Sequence, residues 1–256
     1  MPAVRPFVVA VAGLDPSGGA GLAADIKTLE QCGVMGLPVC SAITFQTEDE
    51  CVGVSWIPVH QILLQLEHVV RRYRPAVVKI GIIQSLEVLQ ELIQALQTWC
   101  PGIKVIWDPV LRASSGFVFH QELDSGRLES LLPSIHLLTP NAEEACRLAR
   151  TNDAESAAAQ LGQRTAVLVK SLQDGPQIYD LLHNGRESMR FPTQTLEGMN
   201  KHGSGCVLSS AIAAALAHGA DLEEACRQGR AAVHRYLQSS EGLLGSFSFL
   251  SSSATP

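Results

Sequence analysis

Residues 201–217 read K-H-G-S-G-C-V-L-S-S-A-I-A-A-A-L-A, a glycine-punctuated turn that runs straight into an apolar helix. Gly203 and Gly205 permit turn angles closed to other residues and remove side chains that would hold a ligand away. From Val207 onward Leu208, Ala211, Ile212, Ala215 and Leu216 recur at helical spacing, so a helix should start near 204–206. A helix start offers unpaired N–H groups and the positive end of the macrodipole, both of which favour an anion. Cys206 sits at that end, where a thiol is expected to ionise more readily than in water. Alone before an apolar helix, a cysteine would be a small core residue. With G-S-G ahead of it, it reads as a functional thiol, either a base or a group lining the site. The 203–206 turn can hold the charge that develops on a phosphoryl group in transfer.

A second glycine loop lies near the start. The valine-rich run 7–12 has the character of a strand buried on both faces. It ends in G-L-D-P-S-G-G-A-G at 13–21, and a helical stretch follows at 22–31. No Gly-Lys-Ser/Thr follows the loop and its glycine spacing misses the dinucleotide fingerprint, which sets aside a Walker loop and disfavours an oxidoreductase. Asp25, one turn past Gly21, is close enough to face whatever the loop holds. Further polar residues stand where strands stop or helices start: Asp15, Gln46, Gly81, Asp108, Asn141, Lys170 and Cys206. Asp108 can hold a cation or a polar substrate. Asn141 and Glu144, three apart at a helix start, face the same way and can hold water or magnesium, although Asn141 reads equally well as a helix cap. Lys170 can reach phosphate oxygens. Lys79 reads as structural, for instance as the partner of a buried acid, and His202 as a support for its loop.

The elements that must position these residues alternate along the chain. Strands are expected within 34–44 and over 76–80, 103–107, 135–139 and 165–169, the last ending at Lys170. Helical patterns cover 59–73, the stretch after Ser85 that carries Leu86, Leu89, Leu92, Ile93 and Leu96, and 142–149. Residues 177–191 read as a hairpin turning at Asn184-Gly185, and helices over 203–218 and 222–236 complete the chain. This alternation specifies a parallel sheet between helices with an antiparallel hairpin late in the chain. Ligands of such sheets bind beyond the carboxyl ends of the strands, which gathers the polar set on one rim. Without linker, repeat or low-complexity block, 1–256 reads as a single domain whose serine-rich tail after 239 is loosely ordered.

G-L-D-P-S-G-G-A-G-x-x-A-D, D-P-V, T-P-N-x-x-E-A and H-G-S-G-C, in this order, resemble the hydroxymethylpyrimidine/phosphomethylpyrimidine kinases of thiamine biosynthesis, members of the ribokinase-like superfamily. The resemblance spans about residues 7–236. It implies a three-layer α/β/α sandwich and ATP- and Mg²⁺-dependent phosphorylation of the hydroxymethyl group of 4-amino-5-hydroxymethyl-2-methylpyrimidine, in many members followed by phosphorylation of the monophosphate. Carried over by motif, Gly13, Asp25, Gln46 and Val110 contact the pyrimidine. Asp108, Asn141, Glu144 and Lys170 belong to the nucleotide side, with Asp108 and Glu144 toward the metal, directly or through water. Gly203, Ser204 and Gly205 form the anion hole, and Cys206 stands where most ribokinase-like enzymes have an aspartate base. The family is often dimeric, which admits a homodimer. Three departures stand out. Ile82 replaces the usual methionine, Ser171-Leu172 replaces the usual glycines after Lys170, and residues 112–116 lack the lid cysteine of the related pyridoxal kinases. A pyridoxal kinase and a non-catalytic sensor of pyrimidine or nucleotide are the alternatives.

The totals agree with such a chain. Apolar residues make up 46% and charged residues 17% of 256, and the net charge of −6 offers no basic surface to nucleic acid or anionic membrane. Seven cysteines, none in a C-x-x-C pair, fit a reducing cytoplasm better than a disulfide framework. The run 7–13 has only Arg5 as a basic lead, which favours a buried strand over a signal peptide. No apolar run is long enough to span a membrane.

Overall fold

Val8, Val9, Ala10, Val11 and Ala12 are all buried, and successive side chains leave the strand toward opposite cores. Val9 and Val11 join one, Val8, Ala10 and Ala12 the other. A strand apolar at every position therefore needs helices on both faces. The computed structural model describes residues 5–120, 123–185, 187–193 and 201–247. This first strand, β1 (Phe7–Leu14), leads through α1 (Gly21–Gln31) to β2 (Met35–Gln46), β3 (Cys51–Trp56) and α2 (Val59–Tyr73). Next come β4 (Val77–Ile80), α3 (Leu86–Trp99), β5 (Lys104–Trp107), α4 (Ser125–Leu131) and β6 (Leu137–Leu138). The chain continues with α5 (Ala142–Ala149), α6 (Ala154–Gly162), β7 (Ala166–Asp174), β8 (Gln177–Asn184) and β9 (Glu187–Thr193), and ends with α7 (Ser204–Ala217) and α8 (Leu222–Leu237).

The nine strands form one sheet in the order β3-β2-β1-β4-β5-β6-β7-β8-β9, parallel from β2 to β7. One face is packed by residues of α2 to α6, the other by α1, α7 and α8. This is the α/β/α sandwich expected, with one addition. Antiparallel pairing occurs at both edges, because β3 returns against β2. The half-exposed run C-V-G-V-S-W carried too little alternation to announce β3. Helices α4 and α6 were also unannounced. Both are short, and each starts on an aspartate whose side chain accepts a first-turn N–H, Asp124 and Asp153.

Three further boundaries differ from expectation. β7 does not stop at Lys170 but bulges there and continues to Asp174. The hairpin turn falls one residue later, since Asn184 pairs with Glu187 and Gly185 takes φ 71. Finally, residues 239–247 are anchored rather than loose. Lys201 donates to the carbonyls of Ser240 (2.7 Å) and Gly242, and His202 N–H donates to Leu243 O at 2.9 Å. The rest of the serine-rich tail, 248–256, lies outside the described residues.

The order reverses at β1. From there α1 leads one way to β2, while β4 lies on the other side of β1 and feeds α3 on the opposite face. Such a switch point opens a crevice beyond the strand ends.

Candidate active site

A cavity of about 250 Å³ occupies that crevice. Its walls come from distant parts of the chain: Gly13 near the end of β1, Gln46 at the end of β2, Gly81 after β4, Val110 after β5, Asn141 and Glu144 at α5, and Lys170 in β7. The turn Gly203, Ser204, Gly205 and the thiol-bearing Cys206 close it at the start of α7.

The turn keeps its shape because two glycine loops interlock. Gly203 caps α7 at φ 77, and a Cβ there would stand 2.0 Å from Gly19 O. No side chain caps α7, and although Ser204 N–H turns back to Lys201 O at 3.3 Å, the helix start with Gly205 and Cys206 lines the cavity. Asp15 ties the two loops together. It accepts the N–H groups of Ser17 (2.9 Å) and Ala20 (2.8 Å) and, at 2.9 Å, the Nε2–H of His202. Burial opposes the charge on Asp15, but the His202, Ser17 and Ala20 bonds outweigh it and hold the carboxyl below the usual aspartate value. His202 supports its loop, as expected.

Two buried ion pairs lie beneath the turn. Lys170 Nζ meets Asp108 Oδ1 at 2.8 Å, and Thr139 (3.2 Å) and Ser209 (3.1 Å) donate to the same carboxylate. Lys79 Nζ lies 2.8 Å from both oxygens of Asp25, to which Ser210 also donates at 2.8 Å. Adjacent serines of α7 thus hold both acids, and Ser209-Ser210 in an otherwise apolar helix was the unused sequence signal. Burial works against the charge of Asp108, yet Lys170, Lys79 and the Ser209 bond leave its pKa lowered. Burial likewise disfavours the Lys79 charge, and Asp25 more than restores it.

Two expectations are corrected here. Asp25 does not face the cavity. It is fully buried, and its charge acts on the site through Lys79, which pairs with a buried acid as its sequence position suggests and also lines the wall. Cys206 is not an easily ionised thiol. Burial pushes it up to about 11, Lys79 pulls the other way, and Asp25 and Asp108 add to the rise.

Asn141 and Glu144 make a reciprocal cap at the start of α5. Asn141 Oδ1 accepts from Glu144 N at 2.8 Å and Glu144 Oε2 from Asn141 N at 2.9 Å, while Glu144 Oε1 accepts from Leu111 N at 3.1 Å. Burial raises the pKa of Glu144, with Asp108 adding to it against Lys170. Asn141 therefore caps its helix and lines the cavity at once. Among the described residues no group of three His, Cys, Asp or Glu side chains can hold a metal. The donors present are two hard carboxylates, Asp108 and Glu144, already bonded within the protein. That set fits a hydrated Mg²⁺ carried in on phosphates rather than an ion caged by protein. Charge agrees, since the acids Asp25, Asp108 and Glu144 outnumber the ammonium groups Lys79 and Lys170 before any phosphate enters.

Ile82 covers the floor. A Cβ on Gly13 would stand 2.4 Å from Ile82 Cδ1, so the glycine makes room for the isoleucine in the cavity wall. Ser171, where the resemblance puts glycine, holds φ 57 in the bulge of β7. No described helix is long and apolar enough to cross a membrane.

The family model "Phosphomethylpyrimidine kinase" matches residues 15–247. A hydroxymethylpyrimidine/phosphomethylpyrimidine kinase of Rhizobium meliloti is 34% identical over 247 residues, covering 93% of this chain and 92% of that one. The crystal structure of a phosphomethylpyrimidine kinase from Clostridium difficile superposes with a TM-score of 0.75 at 28% identity, over 90% of this chain and 99% of that one. The pyridoxal kinase of Staphylococcus aureus in complex with pyridoxal gives a TM-score of 0.79 at 25% identity, over 92% and 89% of the two chains. The same protein holding AMP-PCP gives 0.78 at 24% identity, over 93% and 89%.

Proposed function

Because this chain belongs to the phosphomethylpyrimidine kinase family, we propose that it transfers the γ-phosphoryl group of ATP to the hydroxymethyl group of 4-amino-5-hydroxymethyl-2-methylpyrimidine. The observation that carries this reading is the convergence of Lys170, Asp108, the 203–205 turn and Cys206 on one cavity with Gly13, Gln46 and Val110. The pyrimidine ring rests against Gly13, Ile82 and Val110, with Gln46 bonding its polar edge. The hydroxymethyl oxygen points toward Cys206, and the phosphates lie between Lys170 and the first turn of α7.

Phosphoryl transfer passes through a loose transition state, so positioning and charge stabilisation do most of the work. The amides at 203–206 face the transferring oxygens, and Lys170, held by Asp108, meets the phosphate side. Mg²⁺, when bound with the nucleotide, neutralises phosphate charge, and Asp108 and Glu144 would hold it through water. The alcohol keeps its proton until late in the transfer. Cys206 then takes it as the thiolate, the minority form of a thiol whose pKa is raised to about 11, so the rate grows with pH as that form fills.

An ADP-release assay with hydroxymethylpyrimidine, its monophosphate and pyridoxal tests the proposal. The expected result is turnover with the pyrimidine well above that with pyridoxal. The pyridoxal kinase likeness favours a second reading, and a strong preference for pyridoxal would establish it. Thermal stabilisation by pyrimidine or nucleotide without any ADP release would instead mark a sensor.

A further inference from the structure

β7 carries an irregularity at its one charged cavity residue. Val167 and Val169 pack into one core and Ala166 and Leu168 into the other, so strict alternation would send Leu172 to the second. Leu172 lies with Val167 and Val169 instead. The reason is an extra residue. Val169 pairs with Leu181 and Leu172 with Tyr179, so Lys170 and Ser171 together oppose Asp180. An insertion of this kind reverses the facing of all that follows and re-aims a side chain. It also places Ser171 at φ 57, a conformation unfavourable for a residue with a Cβ.

The bulge takes the Ser171 N–H out of the regular ladder, and such a donor needs another acceptor. Asp180 Oδ1 accepts it at 2.8 Å. Asp180 is 6% exposed, its other oxygen pairs with Arg230 of α8, and Arg230 also donates to Pro192 O at 2.9 Å. On the far side, Lys170 N–H donates to Pro140 O at 2.9 Å. Two backbone anchors therefore flank Lys170, whose Nζ reaches Asp108. Asp180 itself is not part of the cavity wall. A buried carboxylate is costly unless paired, and strand pairing alone would be better served by an apolar side chain.

We propose that Asp180, braced by Arg230, is a positioning residue for phosphate binding: it locks the Ser171 bulge directly beside Lys170 and so fixes the backbone from which Lys170 reaches the cavity. The inference rests on the reading of Lys170 as a nucleotide-side group. Calorimetric binding of AMP-PCP with Mg²⁺, thermal melting and steady-state kinetics on three variants test it. Asp180→Ala removes both acceptor and charge, whereas Asp180→Asn removes the charge but keeps an oxygen for the Ser171 N–H. Both lose the Arg230 ion pair and should melt earlier by similar amounts. Only Asp180→Ala should weaken AMP-PCP binding, on the order of tenfold, with the KM for the pyrimidine unchanged. Ser171→Val leaves the ion pair in place but excludes the left-handed conformation, and it should weaken nucleotide binding in the same way. It carries the test if Asp180→Ala does not fold. Equal weakening in Asp180→Ala and Asp180→Asn, or undiminished binding in Asp180→Ala or Ser171→Val, overturns the proposal and leaves the kinase reading standing. A wild-type chain that binds no AMP-PCP overturns the nucleotide-site reading and this proposal with it.

Discussion

Cys206 shows how burial can reverse a local electrostatic expectation. A helix start favours a thiolate by at most about 2 kcal/mol. Here the cysteine is half-buried in the cavity wall and its thiol desolvated, with Asp25 and Asp108 close by, and its pKa rises from 9.0 to about 11. The folded protein holds that proton more tightly than the unfolded chain does. The resulting stability is complete below pH 9 and disappears as pH rises through about 11, an effect on the order of 3 kcal/mol. Melting curves from about pH 8 to 11 should fall more steeply for wild type than for Cys206→Ala, and parallel curves would contradict the burial argument. In activity, Cys206→Ala should lower turnover by about a hundredfold, flatten the alkaline rise of kcat/KM and leave nucleotide affinity in place. Lys79 lends itself to a stability test. Lys79→Met strands the Asp25 carboxylate and should destabilise by about 3–5 kcal/mol in urea titrations. Adding Asp25→Leu should return much of that loss, because a buried pair is replaced more easily than it is broken.

At the scale of elements, the site depends on how α7 begins and on what lies against that turn. Gly203 has φ 77 and its backbone touches Gly19, so two constraints exclude a side chain together. Gly203→Ala should cost about 2 kcal/mol or more and reduce turnover at least about tenfold by parting the two loops, as melting and single-turnover rates would record. A variant that kept both would mean the loops can separate without harm. Elements with a marked apolar face are legible in the sequence. The stretches 59–73 and 142–149 coincide with α2 and α5, because the spacing of Ile62, Leu66 and Val70 admits only one buried face. β3, α4 and α6 are not. None of the three carries a marked apolar stripe in its own sequence, and each is held by its neighbours.

Across the whole molecule, residues 239–247 lie far along the chain from the first glycine loop yet close over the same turn. Tyr236 O–H donates to His202 O at 2.7 Å and accepts from Gly245 N at 3.3 Å, while Lys201 is held by Ser240 and Gly242. A chain ending at Gln238 would take from Lys201 Nζ and His202 N–H their acceptors on Ser240, Gly242 and Leu243, although Tyr236 would keep His202 O. It should melt roughly 5–10 °C lower and show a raised KM for ATP with the pyrimidine KM little changed. An unchanged melting point would show that the segment only rests on the surface. The sequence alone determined the alternation of strands and helices, the side of the sheet on which the cavity opens, and most of its wall, including Gly13, Asp108, Glu144, Lys170 and Cys206. Those follow from periodicity and glycine placement, which are local properties. Tertiary structure alone decided that Asp25 belongs to Lys79, that Ser209 and Ser210 each hold an acid, that Asp180 braces the bulge at Lys170, and that Cys206 retains its proton. Each of these is a pairing or a desolvation between residues distant in the chain, and such energies exist only once folding has removed the water between them.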